Sequence, residues 1–276
     1  MSISTTGVLA RPEPVAESSA RYVPRKRRRP PDVRRWISPV VIVLLWQVTS
    51  ATGVLPSDKL SSPVTVFRSG VDLARSGELG AALLVSFGRA MIGFGIGAAI
   101  GITLGVISGL SRWGEALVDP PVQMLRTLPL FGLIPLLILW AGIGEAPKII
   151  LLVFGVAFPL YLNVHSGIRN VDSHLVEAAT ALGFTRWERL IHVVLPSAVP
   201  QTLVGVRQGL GIAWIALIVA EQFNADAGLG FMINNAREFL RTDVIVVGLI
   251  VYAILGLVTD ALVRLLERRA LRWRAG

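Results

Sequence analysis

The chain has 276 residues, of which 53% are hydrophobic and 16% charged, with no cysteine and a formal net charge of +9. Its charge content is well below the ~25% of soluble domains, and several apolar runs reach the ~20 residues that cross a bilayer core as a helix. Composition therefore excludes a disulfide scaffold, a thiolate metal site and a cysteine nucleophile. It indicates an all-α polytopic membrane protein, because a spanning helix satisfies its own backbone groups in lipid.

Residues 1–35 carry a dense basic run, with Arg25-Lys26-Arg27-Arg28-Arg29 followed by Arg34-Arg35. Such a run suits a nucleic-acid arm or a cytoplasmic tail held against anionic lipid. The apolar segment that follows favours the tail, so the lipid bilayer is an expected partner and nucleic acid is not. Residues 1–30 contain no apolar core of a signal peptide. The run after Arg35 could imitate one, with Ser50-Ala51 as a weak cleavage site, and reads as an uncleaved first span.

Hydropathy predicts six transmembrane helices, at roughly 36–54, 81–110, 117–140, 149–166, 197–222 and 244–266. Between the first two, an external loop over 55–80 contains Ser62-Pro63, a capping residue followed by a favoured first helical residue. This predicts a short interfacial helix over about 63–75. The remaining spans form a core transmembrane domain over 81–267, followed by a basic tail over 268–276. With the amino end inside, eighteen Lys and Arg residues fall on the cytoplasmic side and six outside, which places both termini in the cytoplasm.

The second span carries Gly97, Gly101, Gly105 and Gly109 at a spacing of four, hence on one helix face. Small residues there let two backbones approach closely, either within the subunit or at a seam between subunits. The third span contains Pro129 and Pro135, which interrupt the helical ladder and let the span bend. Such a bend suits a pathway-lining helix or a static kink. Arg126 in this span and Arg207 in the fifth are candidate pathway-lining cations, or simply snorkel to the interface. Glu221, near a span end, is a further candidate for the pathway if it faces water.

The polar stretch over 167–196 reads EAATALGFTRWERLIHVVLP from Glu177 to Pro196. Asp172 can cap a helix from about 173 to 182, and Gly183 supplies a left-handed residue to end it. Thr185 and Glu188 fit a capping box that starts a second helix. Pro196 and Pro200 are expected to end that helix and prime the next span. Ala178, Ala179 and Ala181 offer a smooth surface for close approach by another protein, and Glu177 offers one charge.

No G-x-x-x-x-G-K-[ST] phosphate loop exists, and Lys26, Lys59 and Lys148 are the only lysines. Histidines 165, 174 and 192 make no ligand pair, so no metal and no cofactor is expected.

The Glu177-Ala178-Ala179 … Gly183 … Leu195-Pro196 pattern resembles the EAA loop of permease subunits in binding-protein-dependent ABC importers, although Val193 stands where the family prefers Ile. Residues from about 47 to 267 extend the resemblance, through ISGLSRWGEALVD, QMLRTLP, GIRNVDSHLVEAATALG and AWIALIVAEQFNADAGLGFMINNAREFLRTD. These segments are most similar to the branch carrying aliphatic sulfonates, taurine, nitrate or bicarbonate, above all to the sulfonate permeases. The resemblance implies a MetI-like permease fold, a homodimer and no enzymatic activity in this chain. It further implies a cytoplasmic P-loop ATPase subunit and an extracytoplasmic solute-binding protein as partners. Glu177, Ala178, Ala179, Gly183, Leu195 and Pro196 would couple to the ATPase, supported by Asp172, Thr185 and Glu188. A secondary transporter or channel is the more distant alternative, without visible internal repeats.

Overall fold

The computed structural model describes residues 34–271 except 55, 57 and 58. The basic tail expected over 1–35, but for its last two residues, and the end of the tail over 268–276 lie outside the described residues. Residues 1–42 and 43–276 form separate units. Helix α1 (Arg34–Ala51) begins in the first. From residue 43 onward the regular structure of the described residues is all helical, with no strand among them.

Helix α2 (Pro63–Arg75) occupies the residues expected for the short loop helix. The Ser62 hydroxyl accepts from the Thr65 N–H at 3.2 Å, satisfying one orphan donor of the first turn. Ser69 donates to Asp243 at 2.5 Å, tying α2 to the last helix.

Among the described residues, four helices are long and apolar enough to cross a bilayer. They are α3 (Glu78–Leu110), α6 (Glu145–Arg169), the run Arg186–Phe223 and α11 (Thr242–Ala270). The expected third span is not one helix. It consists of α4 (Arg112–Arg126) and α5 (Ile134–Ala141), joined by a tight 3₁₀ turn and bent by 88°. Thr127 and Leu128 close i→i+3 bonds on Met124 and Leu125 instead of continuing the ladder. The helical region is disfavoured for Leu128 by the proline that follows it, and Pro129 has no N–H to give. Pro135 sits in the first turn of α5, where a missing N–H costs nothing. The apolar part of α1, Ile37–Ala51, is shorter than a full span. The six expected spans thus become four complete helices, one broken pair and one short helix.

The glycine stripe of α3 packs within the subunit, against α6. A Cβ on Gly97 would stand 2.8 Å from Val156 Cβ, one on Gly101 2.5 Å from the Ala157 carbonyl oxygen, one on Gly105 2.7 Å from Val164 Cβ, and one on Gly109 2.9 Å from Ile168 Cβ. Gly93 extends the stripe by a turn, with Leu152 Cβ at 2.5 Å. The facing residues Leu152, Val156, Leu160, Val164 and Ile168 also recur every four positions and are all buried. A ridge of branched side chains therefore fills a groove from which side chains have been removed.

Helix α10 (Leu229–Glu238) follows the long fifth helix after a short turn. It buries Leu229, Met232, Ile233 and Ala236 in the main apolar cluster. The Gly- and Asn-rich segment after α9 thus contains a packed helix.

Candidate functional site

Residues 167–196 fold as the local chemistry dictates. Helix α7 (Ser173–Ala181) starts at Asp172, whose carboxylate accepts from the His174 N–H at 2.9 Å. It ends in a Schellman motif: Phe184 N–H reaches the Ala179 carbonyl and Gly183 N–H the Thr180 carbonyl, both at 3.0 Å. That motif needs a left-handed residue, and Gly183 has φ +84°. One residue pair later the capping box closes, with Thr185 N–H on Glu188 at 2.7 Å and Glu188 N–H on Thr185 at 3.3 Å. Helix α8 (Arg186–Arg189) begins there. Arg189 folds back to the Thr180 hydroxyl at 2.7 Å, bracing the two short helices.

Two expectations are corrected here. Pro196 and Pro200 do not end the second short helix. Residues Leu190–Val194 widen into a π turn that runs directly into α9 (Leu195–Asn224). The wider turn makes room for the Pro196 ring, which would otherwise clash with the carbonyl four residues back. Ala179 does not belong to the exposed smooth face, since it is 5% exposed and packs inside the loop. Glu177 and Ala178 are exposed, and so are Leu175, Leu182, Trp187 and Ile191, an unusual run of apolar side chains for a polar loop.

The loop joins α6 to α9. Ser108, Glu115, Asp119, Tyr161, His165 and Arg169 form a polar cluster at its end of α6. Ser108 Oγ lies 2.7 Å from His165 Nδ1, Tyr161 donates to Asp119 at 2.8 Å, and Arg169 pairs with Glu115. His165, one of the three histidines that form no ligand pair in the sequence, is one of its members.

The other end of α6, about 36 Å away, holds a second cluster. Arg89 of α3 grips Glu145 of α6 through Nε and Nη2, both at 2.6 Å. Its Nη1 donates to Glu221 of α9 at 2.7 Å and to the Ala227 carbonyl at 2.6 Å. Glu221 does not face water. It is 1% exposed and accepts from Ser86, from the Gly230 N–H at 2.8 Å and from Tyr252 at 3.1 Å. A pathway-lining role for Glu221 therefore does not fit this structure. The Gly230 amide is the second of α10, so the carboxylate also compensates that helix's positive end. Lys148, 3% exposed, completes the cluster on Glu145 at 2.9 Å. Sequence reasoning passed over Arg89. The available signal was a lone cation inside a 33-residue apolar helix.

The remaining candidates are dispersed. Arg207 of α9 pairs with Glu267 at 2.6 Å and Asp260 at 3.4 Å, linking α9 to α11. Arg126 ends α4 and Pro129 caps the turn that follows. Arg126 borders a cavity of about 290 Å³ between the α4–α5 break, α6 and α9.

The helical bundle, with four described helices long and apolar enough to span a bilayer and a capped, exposed stub between two of them, is that of a multi-pass membrane protein. Residues 101–272 match the family described as binding-protein-dependent transport system inner membrane component, and the chain belongs to that family. It is 51% identical to a protein named as an aliphatic sulfonates transport permease, SsuC, of Escherichia coli (strain K12), over 87% of this chain and 92% of that one. A protein of the same name from Bacillus subtilis (strain 168) is 44% identical, over 86% of each. Among solved structures, an amino acid ABC transporter crystallised with histidines shares the fold at TM-score 0.61 and 17% identity, covering 72% of this chain and 97% of that one.

Proposed function

We propose that this chain is the permease of an ABC importer for aliphatic sulfonates. Two copies form the pathway, a separate P-loop ATPase engages residues 172–196 from the cytoplasm, and a solute-binding protein delivers substrate at the opposite face. Both termini lie in the cytoplasm. The observation that carries the reading is the loop itself. It is a stub helix capped at both ends, with Glu177 exposed on it and, just beyond it, Leu182 and Trp187 77% and 73% exposed. Exposed apolar groups of this kind mark a protein contact. The loop connects α6 and α9, so a push upon it displaces two core helices together. Coupling of this kind needs an element with two arrangements that ligands at a distance can bias. The sulfonate relatives support the choice of substrate.

The test is copurification of the chain with its ATPase, followed by uptake with the binding protein using alkanesulfonate, taurine and nitrate. Taurine or nitrate uptake without alkanesulfonate uptake would refute the substrate. The chain lacks cysteine, so a single His174→Cys variant reports sidedness directly. The thiol is expected to react only with reagent admitted to the cytoplasm.

Gly183 gives a sharper prediction. No atom lies within 4 Å of a Cβ placed there, so Gly183→Val strains the backbone without a clash. A β-branched residue at positive φ costs about 1–3 kcal/mol, enough to unwind the stub's end. Uptake is expected to fall about tenfold or more while the chain still inserts and binds lipid. Gly183→Asn, which tolerates this conformation, is expected to retain most uptake. Equal uptake by the Val variant and wild type would remove the lever role.

A further inference from the structure

The cavity beside Arg126 has the composition of a binding site for one kind of molecule. Arg126, itself exposed, is its only charged lining residue, and its guanidinium makes no ion pair or hydrogen bond with any described residue. Gln208 is its second polar group, and a hydrogen-bond chain settles which way that amide points. Gln201 donates to Asn163 Oδ1 at 2.8 Å, and Asn163 Nδ2 in turn donates to the Pro159 carbonyl at 2.7 Å and to Gln208 Oε1 at 2.9 Å. With its oxygen engaged, Gln208 has its NH₂ left as a donor. The rest of the wall is apolar, including Phe158, Leu162 and Ile212. No carboxylate lines the cavity.

We infer that this cavity is a transit site for an organic anion with a short alkyl tail, in which Arg126 pairs with the sulfonate and the Gln208 amide donates to a further oxygen. A guanidinium presents paired donors that match a trigonal array of acidic oxygens. The volume falls near the lower bound of small-molecule pockets, where a few polar groups orient a mostly apolar ligand. The walls come from α6 and α9, the two helices joined by the loop at residues 172–196, so displacement of that loop changes the site's shape. The 88° break before α5 supplies the third side. The inference rests on the sulfonate reading above and adds to it the place within the permease where the substrate pauses.

The test is equilibrium binding of radiolabelled pentanesulfonate to the purified permease–ATPase complex in lipid nanodiscs without binding protein, alongside uptake by the complete importer. The wild-type complex is expected to bind pentanesulfonate and to prefer it to sulfate, which lacks a tail. Arg126→Gln is expected to raise Kd about tenfold or more, the scale of one charge-assisted hydrogen bond, with Arg126→Lys intermediate. Gln208→Leu, which leaves every charge in place, is expected to weaken binding several-fold and keeps the test independent of whether the Gln variant assembles. Ile212→Ala is expected to shift preference toward longer alkyl chains, a change that a merely structural Arg126 would not produce. Unchanged binding in both Arg126→Gln and Gln208→Leu overturns the site. Sulfonate uptake by an importer whose permease binds no pentanesulfonate also overturns the site and leaves the proposed function standing. Failure of the wild-type importer to take up any alkanesulfonate overturns both.

Discussion

Replacing Arg89 with Ala is expected to destabilise the folded bundle by about 3–5 kcal/mol, because it strands Glu221 as a buried carboxylate without its counter-charge. The other groups around Glu221, Ser86, the Gly230 N–H and Tyr252, are hydrogen-bond donors but carry no charge. Glu145 contributes less to the loss, since its side chain is 58% exposed and water can replace Arg89 there. Unfolding of the detergent-solubilised protein, followed by tryptophan fluorescence, measures the effect. A double variant, Arg89→Met with Glu221→Leu, removes both charges and is expected to recover much of the stability, since apolar replacement of a buried pair is often neutral. A double variant no more stable than Arg89→Ala would show that the polar partners around Glu221, not the ion pair, hold this end together.

The second large effect concerns Gly101. A Cβ at this position would meet the Ala157 carbonyl oxygen at 2.5 Å and Leu160 Cβ at 2.9 Å. Backbone cannot swing aside as a side chain does, so Gly101→Val must separate α3 from α6. The expected loss is about 3 kcal/mol or more, at the upper end of overpacking costs, with faster proteolysis of the membrane-inserted protein. Gly95 lies on the same helix, and a Cβ there meets nothing within 4 Å. Gly95→Ala is therefore expected to be neutral or to stabilise by about 0.5–1 kcal/mol through helix propensity. Equal proteolysis of the two variants would mean that the α3–α6 ridge does not govern folding.

These two sites differ in how far the sequence disclosed them. The spacing of Gly97, Gly101, Gly105 and Gly109 announced a close helix approach, and the helix they sit on was legible. Whether the stripe served the subunit's interior or a seam was not, because spacing carries no information about which ridge fills the groove. The loop at 172–196 was the most legible part. Asp172, Gly183, Thr185 and Glu188 act on neighbours within about five residues, so their geometry follows from local rules. The errors fell where a local rule met a non-local constraint. Pro196 should have stopped a helix, yet a π turn absorbed it because the chain had to run straight into α9. Pro129 announced a bend, but nothing in its neighbourhood set the angle at 88°.

The sequence by itself determined that this is a helical membrane protein with a capped stub between two spans, since composition and short-range backbone chemistry suffice for both. Only the tertiary structure decided that Arg89 neutralises Glu221, 132 residues away, and that Arg126 faces a cavity without any neutralising carboxylate. The reason is physical. In a low-dielectric interior the energy of a charge depends steeply on its distance from its partner, and that distance is set by how distant helices pack, which short-range sequence patterns do not reveal.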